Sequence, residues 1–136
     1  MIVVDATVVA YLLLPHPEHT EQADRLLARD AAWCAPALWR SELRNVLAAH
    51  VRERGLPLEQ SVELLAAADE LLGARTGDVV PEVVLRLAAA SGCSAYDCEY
   101  VALAHELDVP LVTTNAAVLD AFPDLAVSPR EFLSRS

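Results

Sequence analysis

Short, continuously apolar runs recur along this chain between longer stretches of helical periodicity, and they limit its architecture more than any other feature. The runs are "IVV" at 2–4, "WCAP" at 33–36, "VPLVT" at 109–113 and "LAV" at 125–127, with a fifth brief strand inside "RTGDVVP" at 75–81. Strands that do not alternate polar with apolar residues are buried on both faces, as in a parallel sheet covered by helices. The intervening segments predict helices over 6–14, 20–29, 36–55, 58–73, 82–90, 94–107 and 115–122. Ala23, Leu26 and Leu27 mark the inner face of the second, and Leu43, Val46, Leu47 and Val51 that of the third. Val62, Leu65, Ala66 and Leu72 are the inner set expected for 58–73. Gly55 suits the position just past a helix end. The "SPREFL" segment at 128–133 reads as a tail. The expectation is an α/β fold with a parallel sheet covered on both faces.

The chain has 136 residues and no repeat, linker or low-complexity segment, so residues 1–136 are expected to form one domain. The start is apolar but carries Asp5 and lacks a basic leader, and it is too short to span a bilayer. Cys34, Cys93 and Cys98 form no disulfide framework and are expected as free thiols in a reducing, cytoplasmic setting. Net charge is −10, with no basic footprint of the usual nucleic-acid binder. A carboxylate site is acidic by construction, however, and a bound cation inverts its local charge. All ten cationic side chains are arginine. The absence of lysine excludes P-loop nucleotide hydrolases and Schiff-base chemistry.

Candidate site residues stand at element junctions. Asp5 ends the first strand, and Asn115 follows the strand that ends in "LVTT". In an open parallel sheet, ligands gather beyond the carboxyl ends of the strands. Thr7 and Thr113 lie two residues from Asp5 and Asn115 and offer hydroxyls. Asp5 and Asn115 equally suit helix caps, and Ser94 with Asp97 in "SAYD" equally fits a capping box. A carboxylate in a first helical turn is also held ionised by the amide dipoles, which suits a cation ligand. Glu42 and Asn45, with Ala49, share a face beside the apolar stripe of their helix, the pattern of a polar cleft wall or of a solvated face. His16 and His19 in "HPEH" have no evident third zinc ligand, His50 and His105 stand apart, and Cys93 with Cys98 lacks zinc-knuckle spacing. Receiver domains and Asp-x-Asp phosphatases are excluded by the missing lysine and by Thr7.

The segments "IVVDATVVAYLLL", "APALWRSELRNVL" and "SAYDCEYVALAHELDVPLVTTN", with a final "PREFL", resemble in their order the PIN domain, and more closely its VapC-type toxins. The resemblance implies a three-layer α/β/α sandwich around a five-stranded parallel sheet of order 3-2-1-4-5. It implies a ribonuclease that uses an acidic quartet and Mg²⁺ or Mn²⁺. On this chain Asp5, Glu42 and Asp97 fall on the first three acids and Asn115 on the fourth, a departure from the commonest form. Thr7, Asn45 and Thr113 match supporting positions. Asn115 brings no charge, so one ion site is expected to survive and a second to be weak, with the amide oxygen left to touch a water or cation; Asp120 is expected to face elsewhere. Arg40 and Arg44 flank Glu42 and are the arginines expected nearest an RNA substrate. The resemblance further implies a homodimer and a cognate VapB-like antitoxin, with helix 58–73 as a surface for either. The rival expectation is a catalytically weakened PIN-like binding module.

Overall fold

A computed structural model describes residues 1–135. The first strand, β1 (Ile2–Val4), leads into α1 (Ala6–Leu13) and α2 (His19–Arg29). Next come β2 (Trp33–Pro36), α3 (Leu38–Glu53), α4 (Leu58–Leu72) and β3 (Thr76–Gly77). The second half runs α5 (Pro81–Ser91), α6 (Ala95–Leu107), β4 (Leu111–Val112), α7 (Ala116–Ala121), β5 (Ala126–Val127) and α8 (Pro129–Ser134). The strands form one sheet in the order β3-β2-β1-β4-β5 with every neighbouring pair parallel. That is the expected order 3-2-1-4-5, flanked by helices.

The core follows from the apolar runs. Ile2, Val3 and Val4 are all buried, and β1 lies in the middle of the sheet between β2 and β4. Helix α6 packs against β1, β2 and β4, while α3 and α4 pack against β2 with α1 beside them. Six of the thirteen residues of α6 are buried, among them the run Tyr100–Ala104. Its inner surface is therefore wider than a single stripe, as a helix covering the middle of a sheet requires.

The structure departs from expectation at three places. The strand expected over 109–113 pairs as a strand only at Leu111 and Val112, although Thr113 still donates its N–H to Val127 O at 3.0 Å. Pro110 has no N–H to give, yet its carbonyl accepts from Val3 N at 3.0 Å. On α4 the inward residues are Ser61, Ala68 and Leu72, while Val62 and Ala66 face outward. Ser61 is tolerated inside because its hydroxyl donates to Leu58 O at 2.6 Å. The apparent tail forms α8, capped by Ser128 on Glu131 N at 3.1 Å, and Arg29 of α2 donates to its Leu133 O at 3.1 Å. Gly55 has φ +70 just beyond α3, the left-handed conformation for which its position was read as a helix end.

Candidate active site

The carboxyl ends of β1 and β4 open into a cavity of about 230 Å³. Its walls bring together Asp5, Thr7, Glu42, Asp97, Thr113 and Asn115, which come from the two strand ends and from α1, α3 and α6. Sequence separation is therefore no guide to proximity here; the parallel topology gathers the residues.

Asp5 follows β1 directly and caps α1. Its Oδ1 accepts Val8 N–H at 2.9 Å, while Oδ2 accepts the Thr113 hydroxyl at 2.5 Å and lies 3.4 Å from Thr114 N. Burial nevertheless pushes its carboxyl above the usual range, and the nearby charge of Asp97 adds to the rise against those hydrogen bonds. Thr113 is 2 % exposed and does two jobs, because its Oγ1 also accepts Asn115 N–H at 3.1 Å. One hydroxyl thus links Asp5 to the start of α7.

Glu42 enters from α3 and meets a residue that sequence reasoning passed over. The Tyr100 hydroxyl donates to Glu42 Oε1 at 2.5 Å, and Tyr100 is 4 % exposed. Burial raises the Glu42 carboxyl, the Tyr100 bond opposes the rise, and Asp5, Asp97 and Glu99 add to it. The phenol is itself raised by burial and by its bond to Glu42. A usable signal was present: a tyrosine in the apolar run of α6 needs a partner for its hydroxyl, and Asp97 lies one turn before it.

Asp97 sits in the first turn of α6, whose cap Ser94 accepts Asp97 N–H at 3.0 Å. Its Oδ2 accepts from Asn115 Nδ2 at 3.1 Å. The orientation of that amide is fixed by its other end, since Asn115 Oδ1 accepts Ala117 N–H at 3.0 Å and Val118 N–H at 3.3 Å. The amide oxygen expected to face a cation is thus spent on the α7 cap, and the site sees the NH₂ group. Asn115 and Asp97 form a neutral donor–carboxylate pair where two carboxylates would repel.

The remaining expected residues spread out. Asn45 is exposed and lies with Glu42 and Asp97 on an adjacent shallow groove rather than in the acid cavity. Arg40 pairs with Asp69 of α4 at 2.9 Å and lies 5.1 Å from the Trp39 ring centre. Arg44 donates to Ser41 Oγ at 3.1 Å, and neither arginine lines the acid cavity. Asp120 is exposed on α7 and is not part of its lining. Cys34, Cys93 and Cys98 are buried free thiols.

Chemically, the cavity offers hard oxygen donors, the set that suits Mg²⁺ or Mn²⁺. Among the described residues no three His, Cys, Asp or Glu side chains already converge as a ready-made metal cage. Such a donor set fits an ion that keeps several waters and takes one or two carboxylates directly, which is the habit of Mg²⁺.

Comparison with known proteins covers most of the chain. The PIN domain family matches residues 2–124. The chain belongs to the PIN-domain family. This PIN domain is 31 % identical over 127 residues to Ribonuclease VapC3 of Pyrobaculum aerophilum, covering 91 % of this chain and 96 % of the relative. Two solved structures share the fold at 20 % identity. PAE2754 from Pyrobaculum aerophilum superposes with a TM-score of 0.73, covering 97 % of this chain and 92 % of that one. FitAcB from Neisseria gonorrhoeae gives 0.70, with coverages of 96 % and 99 %.

Proposed function

We propose that this PIN domain is a metal-dependent endoribonuclease, the toxin of a toxin–antitoxin pair, and that its active site is the acid cavity. The observation that carries the reading is the meeting of Asp5, Glu42 and Asp97 in one cavity at the carboxyl ends of the strands. The relationship to Ribonuclease VapC3 over nearly the whole chain supports RNA as the substrate.

Mg²⁺ or Mn²⁺, when bound, supplies a Lewis acid that polarises a phosphoryl oxygen and makes a water more acidic. Asp5, Asp97 and Glu42 are the residues that would hold the ion. Thr113 and the α1 amide of Val8 orient Asp5, Tyr100 orients Glu42, and Asn115 orients Asp97. Burial raises the Glu42 carboxyl in the cation-free site, a cost that a bound cation would offset. Thr7 adds a hydroxyl to the cavity wall, Asn45 and the exposed Arg44 stand outside it to meet the substrate backbone, and Arg40 would meet it on leaving its exposed pair with Asp69. Clustered carboxylates of this kind are costly as structure alone, which favours a functional reason for their presence.

The partner reading adds a VapB-like antitoxin and a homodimer. The outward residues Leu58 and Val62 of α4, 63 % and 53 % exposed, support an apolar contact surface on that helix. No described helix is long and apolar enough to cross a membrane, and a cytoplasmic site of action is consistent with the free thiols. Light scattering after size exclusion tests the dimer, and the neighbouring open reading frame tests the antitoxin.

Purified protein, free of antitoxin, is expected to cleave a structured RNA with Mg²⁺ or Mn²⁺, and Asp5→Ala is expected to abolish cleavage. Equal behaviour of the two proteins over a broad RNA panel would sink the nuclease reading. It would favour the second one, a binding module, for which the uncharged Asn115 is the supporting observation.

A further inference from the structure

A second cavity of about 330 Å³ lies between α1 and α3 and shares Thr7 with the acid cavity. Its course follows from helix spacing. On α3 the residues Glu42, Val46, His50 and Arg54 recur every four positions, and the first lines the acid cavity while the other three line the groove. At 1.5 Å per residue, His50 and Arg54 stand about 12 and about 18 Å from Glu42 along the helix. The groove therefore begins at the acid cavity and runs away from it along one face of α3.

Its lining differs in chemistry from the acid cavity. Ala10, Leu14 and Val46 give an apolar floor, with Tyr11, His16, His50 and Arg54 around it. The ring tautomers are set by the backbone. His16 Nδ1 accepts Glu18 N–H at 3.2 Å and His19 N–H at 3.3 Å, so its free Nε2 is the protonated donor. His50 Nδ1 lies 2.9 Å from Val46 O and must donate to it, which leaves Nε2 for a ligand. The Tyr11 ring is stacked on His19 with centroids 4.2 Å apart. Thr20 braces the loop carrying His16, accepting His16 N–H at 2.7 Å and donating to Tyr11 O at 2.9 Å.

Arg54 completes the set. Of the chain's ten arginines, four bond carbonyls or carboxylates elsewhere, and among the five whose side chains make no bond among the described residues Arg54 alone lines this groove. Arg29 and Arg75 bond backbone carbonyls, and Arg40 and Arg86 pair with carboxylates. Among the described residues Arg54 has no hydrogen bond or ion pair from its side chain, and it stands at the far end of a groove that starts at a nuclease-like centre. An aromatic ring, two ring nitrogens without a protein partner and a guanidinium along one groove are the elements of single-strand nucleic-acid binding.

We propose that the α1–α3 groove is a nucleotide subsite, taking the single-stranded RNA next to the scissile phosphodiester, with a base on the apolar floor beside Tyr11 and a phosphate at Arg54. The inference rests on the nuclease reading for its direction but not for its test. The probe is a short, dye-labelled single-stranded RNA of mixed sequence, followed by fluorescence anisotropy, with cleavage kinetics measured on the same strand. Arg54→Gln and Tyr11→Leu are each expected to weaken binding roughly tenfold, the scale of one lost contact or stacked base. Arg54→Gln should also lower the log–log salt slope by about 0.7, one phosphate contact on a single strand, which a packing defect would not do. Both variants should raise KM with kcat unchanged. Groove-dependent RNA binding without any cleavage would sink the nuclease reading and leave the subsite standing. Cleavage with Kd, KM and salt slope untouched by either variant would overturn the subsite and leave the nuclease. Variants that keep RNA affinity but lose a protein partner would likewise overturn it and assign the groove to that partner.

Discussion

The two ends of the sheet carry cavities of nearly equal size, about 230 Å³ beyond the carboxyl ends and about 220 Å³ at the amino ends of β4 and β5. Both contain aspartates. At the amino end Asp108 and Asp124 are exposed, and neither carboxylate accepts a hydrogen bond among the described residues. At the carboxyl end Asp5 and Asp97 are partly buried and each is held by named donors. The difference lies in what the helices point at each end. Three helix N-termini, capped by Asp5, Ser94 and Asn115, converge on the acid cavity and turn the positive ends of their dipoles toward it. The amino end receives a helix C-terminus instead, and Asp108 is the C-cap of α6. Size alone does not make a site; oriented donors that can keep a carboxylate partly out of water do.

Breaking that contrast gives a graded series. After the loss of cleavage in Asp5→Ala, expected to reach on the order of 10³-fold or more, the next largest effect belongs to Tyr100→Phe. That change keeps the ring and removes one hydrogen bond worth about 1 kcal/mol. We expect kcat to fall up to about tenfold with KM nearly unchanged and the melting temperature lowered by only a few degrees, the scale of one lost hydrogen bond; a lower melting temperature with kcat unaltered would make Tyr100 a packing residue only. Asn115→Asp replaces a donor with a second carboxylate facing Asp97 Oδ2. It should lower the melting temperature of the metal-free protein and tighten Mn²⁺ binding in calorimetry, and unaltered calorimetry would place position 115 outside the ion's reach.

The pH dependence is subtler. Burial raises the folded pKa of Asp5 above its ordinary value, so its contribution to stability is fullest below the unfolded pKa and is lost as pH rises through the folded one. Asparagine does not titrate. The melting-temperature difference, Asp5→Asn minus wild type, should therefore grow as the pH of metal-free protein is raised, and Mg²⁺ or Mn²⁺ should reduce it at neutral pH by stabilising only the wild type. A difference independent of pH would mean that Asp5 is not strained by burial. The smallest effect is the control at the other end. Asp124→Ala should leave cleavage intact and stability within about 0.5 kcal/mol.

Much of this was readable in the sequence, for a physical reason. Continuous apolar runs specify buried parallel strands, and such strands place their following residues at one edge, so Asp5 and Asn115 were bound to be neighbours of a kind. The orientation of side chains on helices was less readable. On α4 the expected Leu65 and Leu72 do pack inward, but Val62 and Ala66 do not, because the inner face runs Ser61, Leu65, Ala68, Leu72 and Ser61 satisfies its own hydroxyl there. Tyr100 was hidden by its surroundings, as one polar atom in a run of core residues. The α8 helix was missed because six residues carry too little periodicity to register. Arg40 was expected near the cleft, and the Asp69 that draws it aside lies 29 residues away on another helix.

The amide of Asn115 has one consequence for measurement. Its oxygen holds the Ala117 and Val118 amide hydrogens while its nitrogen holds Asp97. Any occupant that draws the Asp97 carboxylate away loosens the other end of the same side chain. The exchange of those two backbone hydrogens with deuterated solvent should then change when the cavity fills, even for an occupant that is never cut. Helix α7, at six residues, is in effect a gauge wired to the acid cavity.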